Sequence, residues 1–300
     1  TPAYTYARGP FNLSLDLPLK YLHLRYTDDV RAETFRHDRL YLSPHLSLKY
    51  TASPALYFTL GGGLNHATGD ILSFLRSPIR RSYNRLDSGA SGILAHRRTA
   101  SLTASYMYRH TMEGLFSSLF LRYSRTQRNI LSGTTIVPDG SIATRSQGAT
   151  THTDNYSADF YLAKNVHSWN TTFSLNAGYT AFRSQTLRQD RSLAYSGSLL
   201  SVYNTLSYFP RNDLMLYGGI GWQQRKTKDP EDSYRQISAR LGAAKIFEAG
   251  FDASISATFG IRSHREENAV LEQRSRDKEQ IYRLSIGADR WKFAGLKPVL

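Results

Sequence analysis

The chain of 300 residues contains no cysteine and carries a formal net charge of +14 at pH 7. No segment approaches the roughly 18 consecutive apolar residues of a membrane-spanning helix, which excludes an α-helical membrane protein. The 38 Lys and Arg residues are scattered in ones and twos, so we predict no nucleic-acid partner. This charge suits either a surface that faces anionic lipid phosphates or solvated charge on loops.

The first predicted strand, at 11–26, changes the parity of its apolar residues. The first set comprises Leu13, Leu15, Leu17, Leu19 and Tyr21, and the second comprises Leu22, Leu24 and Tyr26. A slip of one residue moves every following side chain to the opposite face of a strand. We therefore predict a β-bulge near Tyr21.

The later segments alternate strictly between apolar and small polar residues, which is typical of half-buried strands. The segment 251–262 is the clearest. Its apolar parity reads Phe251, Ala253, Ile255, Ala257, Phe259 and Ile261, and its polar parity reads Asp252, Ser254, Ser256, Thr258, Gly260 and Arg262. The segment 172–181 follows the same pattern. We predict that the apolar residues Phe173, Leu175, Ala177, Phe251, Ala253 and Ile255 face lipid, and that Ser174, Asn176, Ser254 and Ser256 face a polar lumen.

About twelve strands are predicted in total, and short connections alternate with long ones. The strands are placed at 11–26, 38–51, 54–66, 96–110, 114–128, 153–165, 169–184, 193–209, 213–226, 232–247, 250–263 and 278–292. The short connections are 52–53, 111–113, 166–168, 210–212 and 248–249, and the long ones are 27–37, 67–95, 129–152, 185–192, 227–231 and 264–277.

These features predict an all-β protein, an antiparallel up-and-down transmembrane β-barrel of the bacterial outer membrane. Its strands exceed the roughly 9–11 residues that cross a bilayer when tilted, whereas strands of a soluble β-sandwich, the alternative, are shorter. Short periplasmic turns and long external loops are usual in such barrels. We therefore expect the loops 67–95 and 129–152 on the cell surface, and Glu113 and Ser168 on the periplasmic side. We expect one domain over 1–300, an incomplete barrel truncated at both ends.

A search for catalytic, cofactor and metal sites gives none. Gly61-Gly62-Gly63 is not followed by a helix, so a strand position explains it better than a phosphate loop. His152-Thr153-Asp154 lies at a loop-to-strand junction, and a polar rim explains it better than hydrolase chemistry. Four acidic and three basic residues share the loop 264–277, which favours a solvated loop over a metal site. We therefore predict no enzyme activity.

Residues from about 13 to 209 resemble the barrel of TonB-dependent outer-membrane receptors of the Bacteroides type. The resemblance lies in LYLSPHLSLKYTASPALYFTLGGGLNHATGDI (40–71), TASLTASYMYRHTMEGLFSSLFLRYSRTQRNI (99–130) and NTTFSLNAGYTAFRS (170–184). It implies a barrel of about 22 strands, an N-terminal plug, and uptake of a nutrient that is energised by an inner-membrane complex.

Residues from about 213 to 300 resemble a second family, the barrel of the surface lipoprotein assembly modifiers. The resemblance lies in YRQISARLGAAKIFEAGFDASISATFGI (234–261), RDKEQIYRLSIGADRW (276–291) and FAGLKPVL (293–300). It implies a barrel of about 14 strands that moves lipoproteins to the cell surface.

The two resemblances agree on architecture and location and differ in cargo. Because it covers more of the chain, the receptor barrel is our main functional prediction, with lipoprotein translocation as the alternative; a hybrid sequence also stays open. The expected partners are outer-membrane lipid and lipopolysaccharide, together with an energising inner-membrane complex or a surface lipoprotein.

Overall fold

The computed structural model describes residues 2–28, 33–69, 79–83, 85–87, 93–136, 142–188, 191–228, 231–247, 252–267 and 272–287. Among these residues nearly all regular structure is β-strand, and one 3-10 turn, His167–Trp169, is present. No helix in the described part of the chain is long and apolar enough to cross a membrane. The predicted all-β class is confirmed.

Seventeen strands are formed by the described residues. They are β1 Ala3–Arg8, β2 Phe11–Asp16, β3 Leu19–Asp28, β4 Glu33–Leu42, β5 His45–Ser53, β6 Leu56–Thr68, β7 Ile79–Ser82, β8 Arg85–Asp87, β9 His96–His110, β10 Leu115–Ile136, β11 Ile142–Val166, β12 Thr171–Arg188, β13 Arg191–Arg211, β14 Leu214–Lys228, β15 Glu231–Ile246, β16 Asp252–Glu267 and β17 Glu272–Gly287.

Fifteen of these strands form one sheet with the order β1-β2-β5-β6-β9-β10-β11-β12-β13-β14-β15-β16-β17, in which β7 and β8 lie off the main path. The hairpin β3–β4 forms a separate two-stranded sheet. Neighbours such as β14 and β15, and β15 and β16, pair antiparallel in continuous register. Among the described residues, no pairing joins β1 to β17. The predicted up-and-down antiparallel order is therefore correct, whereas the predicted number of about twelve strands is too low.

Two prolines divide strands that the sequence analysis predicted as continuous. The predicted strand 11–26 is interrupted at Leu17-Pro18, and the predicted strand 38–51 at Ser43-Pro44. Proline has no N–H to donate to a sheet, so a sheet ends or bends where it occurs. The pairing of β3 with β4 shows no register shift at Tyr21, so the predicted bulge is wrong. The strand is interrupted instead at Pro18, before the parity change.

Two of the predicted long loops, 129–152 and 264–277, consist largely of strand among the described residues. β10 continues to Ile136 and β11 begins at Ile142, so most of 129–152 is strand, and 264–277 is likewise divided between β16 and β17. Polar residues adopt a stable strand conformation when a neighbouring strand supplies hydrogen bonds and cross-strand side-chain contacts. The predicted turn Pro138-Asp139-Gly140 and the connection 248–249 lie outside the described residues.

The short connections are tight turns close to their predicted positions. Thr111 to Gly114 forms a turn in which Gly114 has a φ of 61° and its carbonyl accepts a hydrogen bond from the Asn165 N–H at 2.7 Å. The 3-10 turn His167–Trp169 is followed by Asn170, which has a φ of 47°. The other two turns are shifted by one or two residues, to 54–55 and 212–213.

In β14 to β17 the apolar parity is exposed. Ile220, Leu241, Ile255 and Leu284 are 63%, 62%, 62% and 70% exposed, whereas Ser256, next to Ile255, is 8% exposed. A protein in water would bury such a row of large aliphatic side chains, while a barrel in a bilayer turns them towards lipid. The contrast between Ile255 and Ser256 supports the predicted alternation in β16, and Phe251 lies outside the described residues. We call the exposed parity the apolar face and the opposite parity the polar face.

The described chain divides into two compact units. The first comprises Thr1–Ser105, Leu121–Tyr156 and Phe182–Ser196, and the second comprises Tyr106–Phe120, Ser157–Ala181 and Gly197–Leu300. The first unit contains the β3–β4 hairpin, and the second contains the paired strands β14 to β17. The expectation of a single domain stays a prediction.

Candidate functional site

The polar face of the second unit carries its most concentrated polar chemistry. In β11 to β13, the Ser201 hydroxyl donates to the Gly178 carbonyl at 3.4 Å, and the Ser174 and Thr205 hydroxyl oxygens are 2.8 Å apart. A Cβ added to Gly178 would lie 3.3 Å from Asp159 Oδ1, so glycine leaves room for that carboxylate. Small side chains thus open a cavity of about 240 Å³. Its polar lining residues include Ser118, Asp159, Asn176 and Ser201.

Tyrosine rings on this face lie against glycines of neighbouring strands. A Cβ on Gly221 would lie 2.6 Å from the Tyr203 ring, and one on Gly242 would collide with the ring of its cross-strand partner Tyr217. A ring that covers a glycine shields the bare backbone and is itself held in place. Glycine at these positions therefore allows tyrosine to lie flat along the polar face.

Arginines stand over two tyrosine rings of the polar face, Tyr217 and Tyr234. Arg240 lies 5.3 Å from the centroid of Tyr217, and Arg225 and Arg262 lie 5.7 and 5.6 Å from that of Tyr234. Each such cation–π contact contributes about 0.5–1 kcal/mol at an exposed site. Antiparallel register brings these side chains together, because Tyr234 is directly opposite Arg225.

One carboxylate anchors the end of this array. Asp232 accepts a hydrogen bond from Arg225 Nη2 at 2.9 Å, and its other oxygen lies 2.7 Å from His264 Nε2. Asp232 therefore pairs with Arg225 and His264, while Arg240 and Arg262 stand over tyrosine rings, and the array keeps a positive balance. The polar array is defined here as Arg225, Asp232, Tyr234, Arg240, Arg262 and His264 together with Tyr217.

This arrangement suits binding rather than catalysis. Within the described ranges, no group of three or more His, Asp or Glu side chains could hold a metal ion. Guanidinium groups and tyrosine rings bind carboxylates, phosphates and peptide groups without activating a nucleophile. The array therefore offers a basic, hydrogen-bonding surface to a polar polypeptide or an anionic group.

The residues that the sequence analysis considered are separated or absorbed into strands. Asp154 accepts a hydrogen bond from the Tyr123 hydroxyl at 2.8 Å, whereas Thr153 lies 2.8 Å from the Ser184 hydroxyl. Adjacent strand residues point to opposite faces, so the three side chains of 152–154 do not converge. The glycines 61–63 lie within β6, where Gly61 accepts a hydrogen bond from Thr103.

The polar array itself was missed as a cluster. In the sequence, Arg225 is one of the scattered basic residues, and His264 lies at the start of the predicted loop 264–277. The usable signal was the hairpin between β14 and β15, because pairing Thr227 with Asp232 fixes Arg225 opposite Tyr234. Contact with His264 further required the register of β16, which the sequence alone did not supply.

Comparison with known proteins gives a family over two thirds of the chain. The model of the family described as surface lipoprotein assembly modifier matches residues 104–300. This range begins about 110 residues before the segment in which we had noted the resemblance, and it includes the whole polar array. No curated protein matches the sequence.

Solved outer-membrane structures share the fold. The closed form of the ferric-catecholate import receptor Fiu from Escherichia coli K12 matches at 10% identity with a TM-score of 0.50, over 96% of this chain and 60% of the receptor. Pseudomonas aeruginosa FpvA matches at 14% identity with a TM-score of 0.47, over 94% of this chain and 50% of FpvA. The chain thus spans about 60% of the length of the first receptors it matches. At these identities the likeness concerns the fold alone.

Proposed function

This chain belongs to the surface lipoprotein assembly modifier family, and we propose that its outer-membrane barrel helps lipoproteins reach the cell surface. The observation that carries the proposal is the family match over 104–300. That range contains every residue of the polar array and of the 240 Å³ cavity.

The receptor function, our main prediction from the sequence, has weaker support. It rests on a likeness of fold at 10% identity, and barrels of one fold serve unrelated cargoes. The family match extends through 104–209, which we had assigned to the receptor resemblance. The comparisons therefore favour the alternative prediction, lipoprotein translocation, and surface lipoproteins are the clients we propose.

The polar array gives this proposal a contact surface. The rings of Tyr217 and Tyr234 keep the guanidinium groups above them oriented. These groups therefore bind carboxylates and peptide carbonyls with less loss of side-chain entropy. Elsewhere on the polar face, the cavity of about 240 Å³ at Asn176, Gly178 and Ser201 leaves space for a passing segment. We propose that the client lipoprotein contacts this face during its passage.

The test is the protease accessibility of lipoproteins on intact cells of the producing bacterium. We expect deletion of the gene to remove at least one lipoprotein from the protease-sensitive surface fraction without lowering its total amount, and the wild-type gene to restore it. A gene that carries Arg240→Ala should restore less of the lipoprotein to the protease-sensitive surface fraction than the wild-type gene does. Arg235→Ala, which removes the same charge from the opposite parity of β15, should restore fully.

A second arm separates the two functions. Removing the inner-membrane energising protein TonB should leave lipoprotein display unchanged if the barrel is a translocator. A surface lipoprotein pattern unaffected by gene deletion, combined with TonB-dependent loss of growth on a ferric chelate, would contradict the proposal and favour the receptor.

A further inference from the structure

A second cavity lies on the apolar face of the first unit and does not depend on the lipoprotein function. It has a volume of about 430 Å³. Its lining residues are Arg39, Leu40, Tyr41, His66, His96, Arg98, Gln127, Arg128, Asn129 and Thr150. Three arginines and two histidines thus meet here without any carboxylate.

The β3–β4 hairpin forms one wall of this cavity. Tyr41 of β4 is 5% exposed, and its ring lies 5.2 Å from the rings of both His66 and His96. His66 Nδ1 and His96 Nε2 share a hydrogen bond at 3.1 Å. Asn129 holds the start of β9, since its Oδ1 accepts from the His96 N–H at 2.7 Å and its Nδ2 donates to the Leu94 carbonyl at 2.8 Å.

A buried donor in this wall lacks a partner. The Tyr41 hydroxyl is buried and finds no hydrogen-bond partner among the described residues. Leaving a buried polar group unpaired is unfavourable, and a bound water, ion or ligand is one way in which such a group is satisfied. No aspartate or glutamate stands beside Arg39 and Arg98 among the described residues that line the cavity. The cavity therefore presents several donors and no matching acceptor.

The position of the cavity indicates where its ligand comes from. His66 shares the parity of Phe58 and Leu60, which are 43% and 49% exposed on the apolar face of β6. His66 lies six positions after Leu60 along the strand, a rise of about 20 Å. The cavity thus lies at the end of the apolar band, at the level where a barrel meets lipid headgroups.

We propose that this cavity binds the phosphate of a membrane lipid headgroup. Arginine pairs with phosphate oxygens through two parallel N–H donors, and tyrosine and histidine add further donors. A metal cation is disfavoured because Arg39 and Arg98 would repel it. Among lipids that carry exposed phosphates, the lipid A of the outer leaflet has the chemistry and the location that fit.

The test is lipid binding by the purified full chain in detergent micelles, measured with bisphosphorylated lipid A, the same lipid with both phosphates removed, and inorganic phosphate. We expect the phosphorylated lipid to bind at least about tenfold more tightly than the phosphate-free lipid, since two charge-assisted contacts are lost with the phosphates. Inorganic phosphate should bind far more weakly than lipid A. Equal affinity of free phosphate would overturn the lipid assignment.

The variants Arg98→Ala and Tyr41→Phe locate the site. Each should weaken binding of phosphorylated lipid A, and Tyr41→Phe should do so while it keeps the ring that packs on both histidines. Arg97→Ala is the matched control, because Arg97 precedes Arg98 in β9 and is exposed on the opposite parity. Equal losses in Arg97→Ala and Arg98→Ala, or unchanged binding in Tyr41→Phe, would contradict the proposal. Heat-modifiable gel mobility verifies that each variant is folded.

Discussion

Single glycines decide whether the polar array can pack. In Gly242→Ala the new methyl would meet the Tyr217 ring and would lie 2.8 Å from the backbone oxygen of Ile255. Because backbone cannot move aside cheaply, we expect a loss of about 1–3 kcal/mol in the free energy of unfolding. Urea unfolding of the purified protein in detergent, followed by heat-modifiable gel mobility, measures this loss.

Gly62→Ala is the control for that substitution. Its Cβ would find its nearest neighbour at 3.7 Å, an ordinary van der Waals contact. We expect a change within about 0.5 kcal/mol. If Gly62→Ala were as damaging as Gly242→Ala, crowding against Tyr217 would not be the cause.

The conformational and pairing properties of single residues explain which contacts could be predicted from the sequence and which could not. The parity change near Tyr21 was visible in the sequence, but it corresponds to no shift in the pairing of β3 with β4; the strand is interrupted at Pro18, where the lost N–H ends pairing. The separation of Thr153 from Asp154 follows from strand alternation alone and was predictable. The contact between Asp232 and His264 needed the register of two hairpins, which short turns leave open until neighbouring strands pair.

At the scale of one strand, β16 allows a test of the two faces. Ala257 lies between the exposed Ile255 and Phe259, so Ala257→Arg would place a charge in lipid and cost about 2–4 kcal/mol. Thr258→Arg lies on the polar face opposite Arg240, where like charge costs roughly 0.2–1 kcal/mol. We expect Ala257→Arg to reduce the folded barrel in outer-membrane fractions more strongly. The reverse order would refute the assignment of the faces.

The ends of the strands allow a test of orientation. We expect an epitope tag inserted between Ile136 and Ile142, at the connection of β10 and β11, to be reached by antibody on intact cells. Tags at Glu113 or Ser168, in the short turns, should be reached only after the outer membrane is opened. Labelling of the short turns on intact cells would reverse the predicted orientation.

Many element positions were predictable because alternation persists in long strands such as β12, β15 and β16, but element lengths were not. Residues 142–152 contain Thr, Ser, Gln and Gly, which a turn uses as readily as an exposed strand does. Pairing with neighbouring strands decides between these states, and pairing is a property of the sheet rather than of the segment.

At the scale of the whole molecule, the fold class and location follow from the sequence, whereas the cargo does not. Strands of 15 or more residues with one apolar face, such as β15 and β16, require a bilayer to cover that face. The same alternation serves receptors and translocators alike, so spaced aromatics and glycines pointed to two families at once. The family match over 104–300 is what separates them.

The most direct test of the translocator proposal asks whether a lipoprotein touches the polar face. A photo-crosslinking amino acid at Asn176, which lines the 240 Å³ cavity, is compared with one at the neighbouring Leu175 of opposite parity in cells labelled with palmitate. We expect a palmitate-labelled protein adduct at Asn176 and none at Leu175. Absence of a labelled adduct at Asn176, or adducts of equal yield at both positions, would contradict passage of a lipoprotein along this face.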